Sequence, residues 1–189
     1  MKIVMLNGQN HKGSSYTIGK KIIDKIDGEK EVREFFFPKD LNHFCIGIAG
    51  YPEKHFESPN LGIDLHYLKQ KVELGADYIV TQMFFDNQKY FDFVRKCREM
   101  DINIPIIPGI KPLTTLNQLT SIPQNFYIDL PENLALEVLK AKNNERIKEI
   151  GIEWCINQCK ELIDFGVPSL HFYTMSNSIN TKKIAETIF

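Results

Sequence analysis

The clearest pattern in the chain lies between Phe44 and Asp86, where two short apolar runs flank a stretch with helical periodicity. Phe44–Ala49 is apolar and ends at Gly50 and Pro52, and Tyr78–Met83 is rich in β-branched and aromatic residues. Both read as buried parallel strands. Between them Leu61, Leu65, Leu68, Val72 and Leu74 recur at roughly helical spacing, with Asp64, Lys69 and Lys71 on other faces and Gly75 as the stop. This is a strand-helix-strand unit, and polar groups just past its strands share the rim where parallel α/β sheets bind ligands.

The same alternation extends in both directions. Upstream, Lys2–Leu6 predicts a strand, a polar loop follows, and a helix is expected from about Ser15 to Ile26. Glu31–Phe37 predicts a second strand, stopped by Pro38. Only six residues, Pro38–His43, then precede the next apolar run. A parallel crossover takes a dozen or more, so the sheet has a discontinuity there: the strands run antiparallel, or one is a short edge strand, or a helix is missing. Downstream, strands are expected over Ile104–Pro108, Phe126–Leu130 and Leu170–Met175. Helices are expected over Tyr90–Met100, Leu116–Ser121, Glu132–Lys142, Glu145–Phe165 and Asn180–Phe189. The sum is a single-domain α/β chain with a mainly parallel sheet of about seven strands. A closed barrel of this type takes eight, so the sheet is either an incomplete barrel or one completed by a partner chain as a homo-oligomer.

Composition narrows the setting more than the chemistry. The 189 residues carry a net charge of −1, 43% hydrophobic and 25% charged residues, which are globular values without the basic footprint of a nucleic-acid binder. No apolar run reaches membrane-spanning length, and MKIVMLNG enters a strand without a signal-peptide pattern, so a cytoplasmic location is expected. The four cysteines, Cys45, Cys97, Cys155 and Cys159, form no C-x-x-C pair, and no metal is expected. Cys155 and Cys159, four apart on a helix, read as small core thiols.

Candidate chemistry sits at the strand ends: Asn7, Tyr51, His55, Gln82, Gln118, Asp129, Thr174 and Asn177. The loop NGQNHKGSSYT aims backbone N–H groups and a helix start at one spot, which suits a phosphate, although it has neither Walker nor G-x-G-x-x-G spacing. The alternative for that loop is a solvated turn with Ser14 or Ser15 as N-cap. Gln82 ends an apolar strand, where an unpaired amide is costly, which makes it the best single functional candidate. The bland alternatives are a packing role for Tyr51, a loop-capping role for His55, a solvated helix face for Asp64 and Lys71, and core packing for Trp154.

Two resemblances follow from quoted strings. MKIVMLNGQNHKGSSY and EVREFFFPKDLNHFCIG resemble the opening of flavodoxin-like NAD(P)H-dependent FMN reductases and iron-sulfur flavoproteins over residues 1–47. That resemblance implies a flavin phosphate held by Asn10, Lys12, Ser14 and Ser15. From Phe44 to Phe189, the strings FCIGIAGYPEKHFESPNL, GADYIVTQMFFDNQKYFDFV, IPIIPGIKPLTTLNQLT and IGIEWCINQCKELIDFGVPSLHFYTM resemble bacterial methylenetetrahydrofolate reductase, a flavin-bearing TIM-barrel enzyme. This implies FAD contacts by Tyr51, His55, Asp64 and Lys71, folate or nicotinamide contacts by Gln82 and Gln118, and NAD(P)H as reductant. Asn7 stands where the resemblance places an acidic proton donor, and Asn177 where it places a carboxylate-gripping arginine. The expectation is therefore a chimera joined near Phe44–Gly47: a flavodoxin-like start fused to a partial TIM barrel, binding FAD or FMN and folate. Its turnover is expected to be weak or lost, its catalytic residues are unidentified, and a catalytically silent hybrid or an FMN reductase is the alternative.

Overall fold

A computed structural model describes residues 45–174 and 178–189 in full, and the backbone of residues 2–7 and 31–36. The chain divides into two compact units, Ile46–Met175 and Met1–Cys45 with Ser176–Phe189. In the smaller unit β1 (Lys2–Asn7) and β2 (Glu31–Phe36) form a two-stranded parallel sheet, with Lys2 opposite Glu31 and Asn7 opposite Phe36. This settles the direction of the second strand. A helix that closes the chain, α6 (Ile179–Ile188), carries buried Thr181, Ile184 and Ala185.

The larger unit is built on four strands in sequential order, β3 (Gly47–Gly50), β4 (Tyr78–Met83), β5 (Ile106–Ile110) and β6 (His171–Phe172), all parallel. The helices between them are α1 (Leu61–Glu73), α2 (Asn87–Glu99), α3 (Gln118–Phe126), α4 (Glu132–Leu139) and α5 (Asn144–Phe165). Three of them start on a side-chain cap: Asn60 accepts from Ile63 N–H, Asp86 from Gln88 N–H, and Asn143 from Arg146 N–H. Gly166 ends α5 at φ 88°, in the left-handed region where glycine avoids a Cβ clash. Four consecutive strands are half of what a closed barrel takes.

Along β4 burial alternates, with Ile79, Thr81 and Met83 buried and Tyr78, Val80 and Gln82 half-buried on the other face. Met83 continues into a core of Phe85, Leu113, Ile122, Ile128, Leu134, Val138, Ile147 and Ile150 under α3, α4 and α5. A row on α5 faces the segment after β4: Trp154 Nε1 donates to Phe85 O at 3.0 Å and Gln158 Nε2 to Phe84 O at 2.9 Å, while Asn87 Nδ2 donates back to Gln158 O at 3.0 Å. Trp154 is thus a core and bracing residue. Cys155 and Cys159 are buried as expected, and a hydrogen bond to Cys159, with burial behind it, pushes the Cys155 thiol up.

Three expectations need correction. Phe126–Leu130 is not a strand: Phe126 ends α3, Tyr127 caps it at φ 54°, and no neighbouring strand pairs with residues 128–130. Its alternation is real, since Ile128 and Leu130 point into the core, but the Asp129 N–H goes to the Glu53 carboxylate at 3.1 Å instead of to a ladder. The last strand covers two residues rather than Leu170–Met175, because β6 pairs only with Gly109 and Ile110. The described residues therefore hold six strands rather than about seven, in two sheets. Among them no helix is long and apolar enough to cross a membrane.

Gly151 on α5 touches the Leu113 backbone so closely that a Cβ there would lie 2.0 Å from Leu113 O. Gly151→Ala must displace a helix or a loop, and overpacking of this kind costs about 1–3 kcal/mol or more. At about 3 kcal/mol the melting temperature should fall by roughly 6–12 °C, which thermal unfolding followed by circular dichroism would measure.

Candidate functional site

Beyond β3 the chain turns at Tyr51 into a loop that is closed by its own hydrogen bonds. Lys54, at φ 75°, donates its N–H to Tyr51 O at 3.0 Å, and its ammonium donates to Ser58 O at 2.9 Å and His55 O at 3.2 Å. Asp64 lies in the first turn of α1, where a carboxylate is favoured by the helix dipole. One of its oxygens accepts the His55 N–H at 2.9 Å and the other the Ser58 hydroxyl at 3.1 Å. Asp64 therefore fixes the place of His55 as well as contributing charge.

The loop and one face of α1 enclose a hollow of about 620 Å³ lined by Ala49, Tyr51, His55, Asp64, Tyr67 and Lys71, among others. That volume is within the range of small-molecule and cofactor sites. Ile63, Tyr67 and Leu74 are 39%, 54% and 86% exposed along this helix face, so the wall offers an apolar stripe that the fold leaves uncovered. Lys71 in the last turn adds a cation, and among the described residues it has no acidic partner. The Tyr51 ring meets His55 edge-on at 4.6 Å. Burial first and the Asp64 charge second raise the Tyr51 pKa, so its hydroxyl stays a hydrogen-bond donor well past neutral pH. His55 Nδ1 accepts from Glu57 N–H at 3.3 Å, which leaves Nε2 as the donor of the neutral ring.

All four residues expected to contact FAD thus meet in one hollow. Gln82 and Gln118 do not line it. Gln82 is half-buried on the face of β4 opposite Ile79, Thr81 and Met83, and its Oε1 accepts the Met83 N–H at 3.1 Å. Gln118 Oε1 accepts from Thr114 N–H at 2.6 Å, Thr114 Oγ1 at 3.1 Å and Thr115 N–H at 3.2 Å, so its carbonyl braces its own loop. Thr174 is half-buried just after β6. Asn10, Lys12, Ser14, Ser15 and Asn177 lie outside the described residues, and Asn7 is described by its backbone alone.

The sequence did not single out Glu53. Its side chain is only 8% exposed, it accepts the Asp129 N–H, and Lys89 Nζ stands 3.7 Å from both the Glu53 and the Asp129 carboxylates. With the Phe56–Tyr127 stack at 5.0 Å, this ties the loop after β3 to the segment after α3. Nothing local in PEKHF marks Glu53 as buried, because its partners are 36 and 76 positions away. Tyr173 and Thr81, which link three strands, were also missed; a threonine buried inside an apolar strand was the available signal.

The family profile described as methylenetetrahydrofolate reductase matches residues 10–188. The chain belongs to the methylenetetrahydrofolate reductase family. It is 37% identical over 150 residues to a probable methylenetetrahydrofolate reductase (NADPH) of Caenorhabditis elegans, covering 78% of this chain and 22% of that protein. It is 39% identical over 146 residues to methylenetetrahydrofolate reductase (NADH) 1 of Arabidopsis thaliana, covering 71% of this chain and 24% of that one. The chain spans about a quarter of the length of these reductases. The fold resembles, with a TM-score of 0.59 and 12% identity over 99% of this chain and 94% of the other, a solved Clostridium thermocellum structure. Its title describes an uncharacterized protein that binds two copies of 5-methyl-5,6,7,8-tetrahydrofolic acid.

The family match corrects the chimera. It runs without a break through the expected joint at Phe44–Gly47 and takes in Asn10–Ser15, so one family accounts for both sides. Nothing in the comparisons supports a flavodoxin-like segment in residues 1–47 or an FMN reductase.

Burial raises the Glu53 pKa more than Lys89 and the Asp129 N–H lower it. A carboxyl raised in the folded state adds stability that is complete below its unfolded pKa and lost as pH rises through the folded one. Glu53→Gln keeps an acceptor for the Asp129 N–H and removes the charge. Its melting temperature relative to the unsubstituted chain should therefore rise as pH is taken from about 4 to 7. A constant difference in calorimetry would show that folding does not raise the Glu53 pKa.

Proposed function

We propose that this chain binds a flavin in the hollow beside α1 and a folate on the Gln82 face of β4, as an oxidoreductase-like member of its family. The observation that carries the reading is the meeting of Tyr51, His55, Asp64 and Lys71 around one hollow of flavin size. The donor set fits the group. A flavin needs an apolar wall for its ring, hydrogen-bond partners for its polar edge and a cation for its phosphate. Ile63, Tyr67 and Leu74 supply the wall, the Tyr51 hydroxyl and the His55 ring supply donors, and Lys71 supplies the cation. Because the flavodoxin resemblance is withdrawn, FAD is the expected form. Bound there, it would relay hydride from NADH or NADPH to the one-carbon unit of 5,10-methylenetetrahydrofolate.

What the chain's own residues do in this reading is hold and orient. Asp64 keeps His55 and the loop in register, Lys71 neutralises phosphate at the far end of α1, and Gln82 offers its amide to the folate. At the strand end where the resemblance places an acidic proton donor, β1 ends in Asn7. An amide cannot donate a proton as an acid does, so binding is expected to be stronger than turnover. The structural relative described as binding 5-methyl-5,6,7,8-tetrahydrofolic acid supports the folate half of the reading.

The test is an absorbance spectrum of the purified chain after incubation with FAD, followed by addition of NADH or NADPH. A band near 450 nm that persists through gel filtration is expected, with slow bleaching by the nicotinamide. A chain that takes up neither FAD nor FMN sinks the flavin assignment. Lys71→Ala should weaken FAD binding about tenfold, equivalent to about 1.4 kcal/mol, read by flavin fluorescence on titration.

A further inference from the structure

The sheet contains an irregularity whose parts interlock. Val80 pairs with Ile107 and Met83 with Gly109, so β4 advances three residues where β5 advances two. The extra residue lies opposite Pro108. The next donor, Gly109 N–H, goes to a side chain, Thr81 Oγ1, at 2.9 Å. The Thr81 carbonyl accepts instead from the Tyr173 hydroxyl, at 3.0 Å, across the strand that lies between them. A Cβ at Gly109 would sit 2.2 Å from Thr81 O and 2.7 Å from Tyr173 Cε2, so only glycine lets the ring reach that carbonyl.

The residue after this fixed point is Gln82. Thr81 is fully buried on one face, Gln82 turns to the other, and its Oε1 is occupied by the Met83 N–H. The group left to face outward is the Nε2 amide, a donor pair. We infer that Tyr173 is a positioning residue for Gln82: by capping the Thr81 carbonyl it holds the bulge that aims the Gln82 NH₂ at an acceptor atom of the ligand, a carbonyl oxygen or ring nitrogen of a planar heterocycle. The identity of that ligand rests on the folate reading above; the positioning does not. Burial, with the nearby Tyr51 second, raises the Tyr173 pKa, so its hydroxyl stays protonated and able to donate.

Tyr173→Phe removes the donor and keeps the ring, and Thr81→Val, with Thr81→Ser as its rescue, breaks the same chain from the other end. In the Tyr173→Phe chain, hydrogen exchange followed by NMR should show the Met83 amide exchanging about tenfold faster, while amides of α2 and α5 keep their rates. An unchanged Met83 amide overturns the inference. In parallel, titration calorimetry with 5-methyltetrahydrofolate should show about tenfold weaker binding for Tyr173→Phe when Gln82 is present, and no further loss in a Gln82→Ala background. FAD affinity should be the same in both. Equal losses with and without Gln82 would mean that Tyr173 does not act through it, which also overturns the inference. If the unsubstituted chain binds no folate, the folate reading fails and the Met83 amide alone decides the role of Tyr173.

Discussion

A parallel sheet sends every loop that follows a strand out on the same side, and this constraint organises the larger unit. Tyr51, Phe84 and Lys111 each begin such a loop, after β3, β4 and β5. Groups far apart in sequence are then forced together without any dedicated contact. What remains for individual side chains is to keep those loops from collapsing or drifting. Asp64 does so for the first by accepting from both His55 and Ser58, and Gln118 does so for the third by accepting three donors from Thr114 and Thr115. The second is held from outside, by the row of Trp154, Gln158 and Asn87 between α5 and the end of β4.

These braces divide the polar residues into two groups by physics rather than by position. A buried amide or carboxylate without partners is costly, and most of the polar side chains in this unit answer that demand with a backbone group. Gln118, Gln158 and Glu53 belong there. Among the described residues Lys71, the Gln82 NH₂ and the His55 Nε2 have no such partner. Around them Ile63, Tyr67 and Leu74 stay exposed on a helix whose opposite side, Leu65 and Leu68, is buried. Scattered exposed apolar residues are ordinary, but these three share one face beside the Lys71 ammonium and form an apolar wall of the hollow.

Much of this was legible in the chain. Tyr78–Met83 is the strand its β-branched run predicts, α5 ends where Gly166 and Pro168 say it should, and the four residues named from Tyr51 to Lys71 converge on one hollow. The failures share a cause. Residues 126–130 alternate as a strand does, yet pairing depends on a neighbour that no local pattern records, and Asp129 found Glu53 instead. The supposed joint at Phe44–Gly47 came from FCIG fitting both resemblances, and the short Pro38–His43 link was a separate irregularity. A β2 and β3 in different sheets explain the short link without a second ancestor.

Pro108 stands where this sheet is irregular. Proline inside a central strand removes a ladder donor and is usually confined to edges or bulges. Here it lies in β5, between β4 and β6, beside the register shift of β4 against β5. β4 gains a residue, Thr81 turns its hydroxyl to Gly109, and the freed carbonyl draws a tyrosine from β6's far end. The irregularity is therefore a built feature of the sheet: Thr81 meets the Gly109 N–H with its hydroxyl and the Tyr173 hydroxyl with its carbonyl, and only a residue without a Cβ at 109 leaves room for both.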